Sequence, residues 1–328
     1  MVFLKPFEWI YRICLGLDRR MTSAEWLNYP TISVGNIAMG GRAKTPFVLF
    51  LAKLLEQKGC EVLVLTRGYG RKSSDPYFLT RDTLRPQVDA SGDEALEIFL
   101  RSNAHVLVGS KRLGNFRNYD QKFPPKIGVR RVILLDDGFQ HWAIHRDLDV
   151  VLVHRSDFSE SVLPSGSLRE VPEALRRAEL VFEEGVDFTK RVSFQGAQPL
   201  DGEILGVLTT RAPASRSIER IQQEYQGREL FEMHLPDHAS REEMLRALED
   251  FSGHIVILGW KEAVKVCDLE TLREGKWDQL KICGSKKNLR VVLANLELEF
   301  LRPQILSSLE SRLDKILQLN SRNSETSK

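Results

Sequence analysis

The sequence has only four cysteines among its 328 residues, and none shows the C-x-x-C spacing of a metal cluster or redox motif. Their scattered positions also argue against a disulfide framework, which favours a reducing cytoplasm. The chain has no internal repeat, no low-complexity tract and no long apolar run without charges. Its 47 basic and 45 acidic side chains nearly cancel, so the overall charge gives no reason to expect nucleic acid as a partner. Local motifs must therefore specify the function.

The first 20 residues are apolar but interrupted by charges, so they predict neither a signal peptide nor a membrane span. Apolar side chains nevertheless recur there at helical spacing, and several basic residues accompany them. Two interpretations remain open. The segment is either an amphipathic helix lying on an anionic membrane surface or a helix packed on its own domain. The apolar positions are Phe3, Phe7, Ile10, Cys14 and Leu17.

The most informative stretch, residues 30–46, is a short apolar run, then a loop with glycines, then a helix that begins near Pro46. A strand, loop and helix in this order point backbone N–H groups and a helix dipole at an anion. The stretch resembles G-x-x-x-x-G-K-[ST], in which Lys44 reaches the outer phosphates and the Thr45 hydroxyl binds Mg²⁺. Ala38 and Ala43 occupy the two glycine positions of that pattern. The predicted nucleotide-binding residues are Met39, Gly40, Gly41, Arg42, Ala43, Lys44 and Thr45.

The second informative stretch is an apolar run, residues 132–135, that ends in Asp136 and Asp137. A buried strand ending in an acid is typical of the strand that delivers a carboxylate to the magnesium beside a phosphate loop. Neighbouring residues of a strand face opposite ways, so one of the two acids is the expected metal partner unless the strand bends at Gly138. Glu170, after a Pro/Gly turn, is expected either to cap the following helix or to reach the metal.

Strand and helix patterns alternate along the chain, which predicts an α/β protein with a mostly parallel, P-loop NTPase-like sheet flanked by helices. The pattern loosens between residues 185 and 199, and we place a boundary there. The expected organisation is an amphipathic helix at 1–20, a P-loop domain at 21–200, a smaller α/β domain at 201–318 and a disordered tail at 319–328.

Four further residues have both a chemical and a structural interpretation. Arg67 follows the strand 60–66 and would either contact an anion at the sheet edge or lie in solvent. Asp93 begins a helix, and capping alone would explain it. Arg112 lies on a basic helical segment that would either be a solvated face or bind a phosphate-bearing substrate. His238 would tune a catalytic carboxylate or cap the next helix.

Taken in order, these motifs resemble the tetraacyldisaccharide 4′-kinase family of lipid A biosynthesis, over roughly the first three quarters of the chain. The matching motifs are Ser-Val-Gly-Asn-Ile at 33–37, Gly-Gly-x-x-Lys-Thr-Pro at 40–46, Arg-Gly-Tyr-Gly at 67–70, Gly-Asp-Glu at 92–94, Asp-Asp-Gly-Phe-Gln-His at 136–141, Leu-Pro-x-Gly-x-Leu-Arg-Glu at 163–170 and Pro-Asp-His at 236–238. Several of these motifs are not common in any other protein family.

The resemblance implies a peripheral kinase on the cytoplasmic side of the bacterial inner membrane. Such an enzyme transfers the γ-phosphate of ATP, with Mg²⁺, to the 4′-hydroxyl of a tetraacylated disaccharide 1-phosphate. It further implies that Thr45, Asp137 and Glu170 hold the metal and that Asp136 and Gln140 support the site. Asp93 is implied to be the general base for the sugar hydroxyl, assisted by His238.

The sequence departs from the family pattern in two places. Arg42 and Ala43 stand where the family loop has threonine and glycine, and Gly-Trp-Lys-Glu-Ala-Val-Lys at 259–265 replaces Thr-Glu-Lys-Asp-Ala-Val-Lys. A methyl group at position 43 disfavours positive φ, whereas the Arg42 cation would help to hold phosphate. The first hypothesis is an active lipid kinase, because the sequence retains Lys44, Thr45, Asp93, Asp137 and His238. The second, based on Arg42 and Ala43, is a member that binds nucleotide or lipid without transfer. A P-loop kinase of a soluble substrate is a weaker third.

Overall fold

The computed structural model describes residues 5–210, 215–237 and 239–325, so His238 lies outside the described residues. Within them, twelve strands form a single sheet and ten α-helices cover it. The strands are β1 (Thr31–Asn36), β2 (Cys60–Thr66), β3 (Tyr77–Leu79), β4 (His105–Val108), β5 (Arg130–Asp136), β6 (Leu148–His154), β7 (Leu180–Glu184), β8 (Phe188–Gly196), β9 (Leu205–Thr209), β10 (Leu230–His234), β11 (Ile255–Gly259) and β12 (Arg290–Phe300). The helices are α1 (Lys5–Met21), α2 (Lys44–Gln57), α3 (Val88–Ser91), α4 (Asp93–Arg101), α5 (Arg112–Lys122), α6 (Ser215–Glu224), α7 (Arg241–Asp250), α8 (Trp260–Val266), α9 (Leu269–Glu274) and α10 (Pro303–Glu325).

The sheet consists of two parallel blocks of opposite direction. The strand order is β10-β9-β11-β12-β8-β7-β6-β1-β5-β2-β4-β3. Strands β8 to β4 in this order are parallel, and β3 closes that edge antiparallel to β4. β10, β9, β11 and β12 are parallel to one another. The blocks meet where β12 runs antiparallel to β8, from the Val292–Gly196 pair to the Phe300–Phe188 pair.

This architecture confirms the predicted α/β class and the mostly parallel sheet. The interpretation of residues 185–199 as a loosened boundary was wrong locally, because β8 occupies most of that stretch. Alternation of Phe188, Val192 and Phe194 with polar residues is the signal for this strand. The division into two domains at residue 200 stays a prediction, since one continuous sheet can join two domains.

Helix α2 lies at the centre of the molecule, and its apolar side contacts both blocks of the sheet. Phe47 packs on Phe182 of β7 with ring centroids 5.5 Å apart, and Phe50 packs on Phe300 of β12 at 4.9 Å. Phe188 of β8 joins the same aromatic cluster. The helix that follows the glycine-containing loop is therefore fixed by strands from both halves of the chain.

The helix α10 continues to Glu325, past residue 318, where the sequence predicts a disordered tail to begin. Leu309, Leu313 and Leu317 are buried along it at helical spacing. No glycine or proline follows Leu317 to end the helix.

Candidate functional site

The glycine loop, residues 37–43, joins β1 to α2 at the carboxyl edge of the larger parallel block. A Cβ added at Gly35 would lie 2.5 Å from the Cβ of Phe139, so glycine is required where the end of β1 meets the segment after β5. Gly40 has a φ of 95°, which also favours glycine. On its other side the loop is held by residues 163–170, because the Met39 N–H donates to the Ser167 carbonyl at 2.7 Å. The loop is therefore shaped by two of the predicted motifs.

Ala43 is the residue that precedes α2, and its backbone is left-handed, with φ 57° and ψ 25°. The loop thus takes the conformation expected of glycine although it carries a methyl group. No side chain caps the start of α2, and the N–H groups of its first turn have no partner within the helix. Unsatisfied N–H groups and the helix dipole together favour an anion at this position.

The left-handed backbone at Ala43 predicts that Ala43→Gly stabilises the protein. An alanine in this conformation is strained, so we expect the free energy of unfolding to rise by about 1 kcal/mol despite the greater freedom of glycine in the unfolded chain. Urea denaturation would measure the change. Ala52→Gly, in the buried interior of α2, is the matched control and should instead destabilise by about 1 kcal/mol or more. Equal destabilisation by both substitutions would contradict the prediction.

Lys44, the first residue of α2, extends its side chain over the end of β1. Its Nζ donates to Asn36 Oδ1 at 3.1 Å and lies 3.4 Å from Asp137 Oδ1. The three side chains form a polar group beside the uncapped start of α2. An ammonium held in this way can meet an anion that binds at the helix start.

Asp137 follows β5 and turns its carboxylate toward this group. Its φ of 51° shows that the chain bends at Asp137 itself, one residue before the predicted bend. Arg169 donates to both carboxylate oxygens, Nη1 to Oδ2 and Nη2 to Oδ1, each at 2.7 Å. Burial opposes ionisation of Asp137, but the hydrogen bonds from Arg169 and the charge of Lys44 outweigh it and hold the pKa well below its usual range. Asp137 is therefore a carboxylate at neutral pH.

Asp136, by contrast, faces the protein interior. Its Oδ2 accepts a hydrogen bond from Thr66 Oγ1 of β2 at 2.8 Å. Arg112, which is only 1% exposed, donates from Nη2 to the Asp136 carbonyl at 2.6 Å and from Nη1 to the Asp137 carbonyl at 3.2 Å. Burial lowers the pKa of Arg112 to about 10, against the effect of the two acids. Arg112 and Thr66 thus fix the end of β5, so that Asp137 is the acid that faces the loop.

Glu170 and Gln140 lie on the opposite flank of the loop. The N–H groups of Arg169 and Glu170 both donate to the Ile37 carbonyl, and Gln140 Nε2 donates to the Asn36 carbonyl at 2.9 Å. Glu170 Oε2 accepts from Arg177 Nη2 at 2.5 Å, and burial raises the pKa of this carboxyl despite that pairing. Gln140 thus holds the end of β1, and its supporting role in the site stays a prediction, whereas the contact made by Glu170 is with a cation.

Arg42 is anchored to the protein. Its guanidinium pairs with Asp157, a fully buried acid, and Nε lies 3.1 and 3.2 Å from the two carboxylate oxygens. Asp157 lies in a single 3₁₀ turn after β6, Arg155–Phe158, and also accepts the His154 N–H. Arg42 therefore holds the loop to the end of β6, and its predicted contact with phosphate stays a prediction.

Asp93 is buried at the start of α4, where Oδ1 accepts the N–H of Glu94 at 2.8 Å. The Arg-Gly-Tyr-Gly turn packs closely on this helix start. A Cβ on Gly92 would lie 2.9 Å from the Tyr69 carbonyl. Arg67 of the same turn is exposed. Burial, followed by the charges of Arg112 and Arg67, lowers the pKa of His141 to about 3. The predicted base and the predicted anion contact are thus on adjoining segments.

Two lysines of α8 reach the start of α4 from the second half of the chain. Lys265 Nζ lies 3.3 Å from Asp93 Oδ2, and Lys261 pairs with Glu94. These lysines belong to the segment 259–265, in which the sequence departs from the family pattern at other positions and keeps both lysines. They bring the far parallel block into contact with Asp93.

The described residues contain no group of three or more His, Cys, Asp or Glu side chains placed to hold a metal by themselves. Mg²⁺ does not need such a group, because it usually binds one or two carboxylates together with waters and substrate phosphates. Asp137 is ionised and faces the loop, so it fits that role, and Thr45 in the first turn of α2 fits as a hydroxyl ligand. Assignment of Thr45, Asp137 and Glu170 to the metal stays a prediction, and both carboxylates are paired with a cation, Asp137 with Arg169 and Glu170 with Arg177.

Helix α1 makes a narrow contact with the site and leaves most of its apolar side exposed. Tyr11 donates its hydroxyl to the Arg169 carbonyl at 3.1 Å, and Arg19 lies over the Trp142 ring. Among the described helices, none is both long and apolar enough to cross a membrane. The exposed apolar side chains are Phe7, Trp9, Ile10, Ile13, Leu17 and Met21.

Sequence reasoning missed four polar residues that organise the site. Asn36 and Arg169 stand inside motifs that we quoted, but their contacts with Lys44 and Asp137 depend on the meeting of three separate segments. Asp157 pairs with Arg42 across the end of the sheet, and Lys265 reaches Asp93 from the other block. For Asn36, Arg169 and Lys265, the available signal was their position within sequence segments that had been quoted for the resemblance.

Comparison with known proteins gives a consistent result. A family model described as LpxK, tetraacyldisaccharide-1-P 4′-kinase, matches residues 1–224. A tetraacyldisaccharide 4′-kinase of Methylobacillus flagellatus is 35% identical over 211 residues, which cover 62% of this chain and 58% of the relative. One of Koribacter versatilis is 38% identical over 190 residues, or 56% of each chain. The matched region thus spans little more than half the length of these relatives.

A solved structure is similar over nearly the whole chain. It is the "apo" form of LpxK from Aquifex aeolicus in complex with ATP, with a TM-score of 0.70 and 24% sequence identity. The similarity covers 96% of this chain and 98% of that one. The fold of the part of the chain after residue 224, which the family model does not reach, is therefore shared as well.

Proposed function

Because this chain belongs to the tetraacyldisaccharide 4′-kinase family, we propose that it transfers the γ-phosphate of ATP to the 4′-hydroxyl of a tetraacylated disaccharide 1-phosphate in lipid A biosynthesis. The observation that carries the proposal is the position of Lys44. Its ammonium lies at the uncapped start of α2, held by Asn36 and Asp137. This is the arrangement of charges and N–H groups that the outer phosphates of a nucleotide require.

We assign the triphosphate to the glycine loop and the start of α2. The N–H groups of Lys44 and Thr45 are free of helix partners and bind phosphate oxygens. The Lys44 ammonium neutralises charge on the outer phosphates, and Arg42 keeps the loop in place through Asp157. A magnesium ion held by Thr45 and Asp137 would neutralise the charge that develops on the transferred group. Phosphoryl transfer depends mainly on positioning and charge neutralisation of this kind.

Asp93 is assigned as the general base. Its Oδ2 takes the proton of the 4′-hydroxyl while the sugar oxygen bonds to the γ-phosphorus and the bond from that phosphorus to the bridging oxygen of ADP breaks. Asp93 is 6% exposed and its Oδ1 is fixed by the Glu94 N–H, so the carboxylate has a defined orientation. Assistance by His238 remains part of the proposal, on the resemblance alone.

The acceptor is proposed to be a lipid in a membrane surface that α1 contacts. The exposed apolar side chains of α1 and its basic residues suit an anionic bilayer. Tyr11 connects this helix directly to Arg169, the partner of Asp137. The site would thus face a substrate whose sugar lies at the surface of the cytoplasmic side of the inner membrane.

The nucleoside is expected on the β6–β7 side of the loop. Asp93 and Asp137 lie toward β2 and β5, so the γ-phosphate points that way and the rest of the nucleotide extends in the other direction. An open cavity of about 750 Å³ lies at the ends of β6 and β7, lined by His154, Phe158 and Glu183 among others. Phe158 is 52% exposed there, and its ring offers a face on which the nucleobase of ATP can stack.

This placement predicts the effect of Phe158→Ala. Stacking of a base on an aromatic ring contributes about 1–3 kcal/mol, so the KM for ATP should rise by about fivefold or more while kcat changes little. Steady-state kinetics at saturating lipid would measure both constants. Phe231→Ala, at an exposed phenylalanine on the edge strand β10, is the matched control. An unchanged KM for ATP in the Phe158 variant would show that the nucleobase does not bind in this cavity.

The proposed function is tested by following label from γ-labelled ATP into the disaccharide lipid, in detergent micelles with Mg²⁺. We expect labelled lipid with the unmodified protein and none when the acceptor is the disaccharide 1-phosphate with its 4′-hydroxyl blocked. Tight ATP binding without labelled lipid would favour the non-catalytic alternative. Transfer to a soluble sugar at a rate independent of lipid would instead favour a kinase of a soluble substrate.

A further inference from the structure

Lys265 occupies a junction between the two halves of the chain. Its ammonium lies 3.3 Å from Asp93 Oδ2 and donates to the Ala239 carbonyl at 3.3 Å. Asp93 begins α4, and Ala239 directly precedes Ser240, which caps α7. The lysine side chain is 12% exposed and that of Asp93 is 7% exposed. A shielded ion pair of this kind is weakened less by solvent and salt than a surface pair.

The helix that carries Lys265 is itself firmly held. The Glu262 carboxylate of α8 is buried and accepts from the Thr210 N–H at 3.1 Å and from its hydroxyl at 2.6 Å. Trp260 Nε1 donates to Asn295 of β12, and Arg101 of α4 lies over the Trp260 ring. Helix α8, and with it the backbone of Lys265, is therefore fixed against the sheet and α4, as precise placement of a positioning side chain requires.

We propose, on the basis of the function proposed above, that Lys265 is a positioning residue for Asp93. Both oxygens of Asp93 are engaged, Oδ1 by the Glu94 N–H and Oδ2 by Lys265. Without the lysine, only the helix start would orient the carboxylate, and Oδ2 would be free to leave the direction of the sugar hydroxyl. A small misplacement of a base is costly, because proton transfer needs hydrogen-bond reach. Lys265 also ties Asp93 to the start of α7, so the second half of the chain takes part in the site.

Lys261 provides the matched comparison. It lies one helical turn before Lys265 on α8 and pairs with Glu94, the neighbour of Asp93. Both lysines therefore connect α8 to α4 by an ion pair, and only Lys265 contacts the proposed base. A purely structural role would make the two lysines equivalent, whereas a positioning role would not.

The kinetic test compares Lys265→Met, Lys265→Arg and Lys261→Met in the label-transfer assay. We expect Lys265→Met to lower kcat by about 10²-fold with the KM for ATP within about threefold of the unmodified protein. Lys265→Arg keeps a cation and several N–H donors, so it should recover most of that loss. Lys261→Met should lower kcat by less than about threefold, as expected for a partly exposed ion pair. Equal losses in the two methionine variants would overturn the proposal.

A double-mutant comparison adds a readout that a structural role would not move. In an Asp93→Asn background, Lys265→Met should change the residual rate by less than about threefold, because the two residues act as one unit. Multiplying effects would show that Lys265 acts independently of Asp93, and would overturn the proposal.

Hydrogen exchange separates failure of this inference from failure of the proposed function. If the unmodified protein transfers no label, the proposed function is wrong. Amide hydrogen exchange then tests by itself whether Lys265 holds the start of α4 to the start of α7. Amides of residues 239–245 and 93–97 should then exchange faster in Lys265→Met than in Lys261→Met or the unmodified protein. Identical exchange in all three proteins would show that Lys265 does not hold these segments, and would reject the inference on its own.

Discussion

Replacing Lys44 by methionine should lower the rate of phosphate transfer by about 10³-fold, the largest effect expected of any binding residue. The ammonium lies between Asn36 and Asp137 at the start of α2, where the outer phosphates are proposed to bind. Its loss removes a positive charge from the place where the outer phosphates are proposed to bind. Methionine keeps the length of the side chain, so packing changes little. Label transfer into lipid at saturating ATP measures the effect.

Lys53→Met is the control for this substitution. Lys53 lies on the same helix but is exposed, and its loss should leave the rate within about twofold of the unmodified protein, as is usual for surface substitutions. Thermal unfolding of both variants would verify that they remain folded. A Lys44→Met protein that still transfers label at more than about a tenth of the normal rate would contradict a phosphate-binding role for this lysine.

Replacing Asp93 by asparagine should lower kcat by about 10²–10⁴-fold while ATP binding is retained. Asparagine has nearly the same shape and its side-chain oxygen can still accept the Glu94 N–H, so the start of α4 should persist. It cannot take the proton of the sugar hydroxyl. Kinetics with the lipid acceptor, together with direct measurement of ATP binding, distinguish loss of the base from loss of the nucleotide.

Glu94→Gln tests whether the effect belongs to Asp93 in particular. Glu94 is the adjacent acid on α4 and also pairs with a lysine of α8, but it is not assigned to proton transfer. Its replacement should lower kcat by less than about tenfold, through loss of the pair with Lys261. If Asp93→Asn were as mild as Glu94→Gln, the base would have to be sought elsewhere.

Local pattern was sufficient for the parts of the site that are continuous in sequence. The glycine loop, the apolar strand ending in two acids and the helix starting near Asp93 were all predicted from spacing and composition. Alternation of residues along a strand also predicted that only one of Asp136 and Asp137 faces the loop. The structure adds that the turn at Asp137, together with Thr66 and Arg112 behind Asp136, makes Asp137 that residue.

Long-range pairing is what the pattern could not supply. Arg169 meets Asp137, Asp157 meets Arg42, and Lys265 meets Asp93 across different strands of the sheet. Taken alone in the sequence, each of these charged residues has the pattern of an ordinary solvated side chain. The same limit applies to the pairing of β8, because its alternating sequence indicates a strand but does not indicate that the strand lies beside β12. Sequence therefore predicted which residue types the site uses, and the topology determines which of them meet.

The aromatic packing around α2 has a consequence for how the chain folds. Phe47 and Phe300 are separated by most of the sequence, yet their ring centroids lie 6.2 Å apart. A contact of such long range forms only after a large loop has been closed, so proteins rich in such contacts fold slowly. During synthesis, the residues around Phe47 would remain incompletely covered until β12 has left the ribosome. Newly made chains should accordingly depend on chaperones, and a fragment that ends before β12 should expose the apolar side of α2 and aggregate.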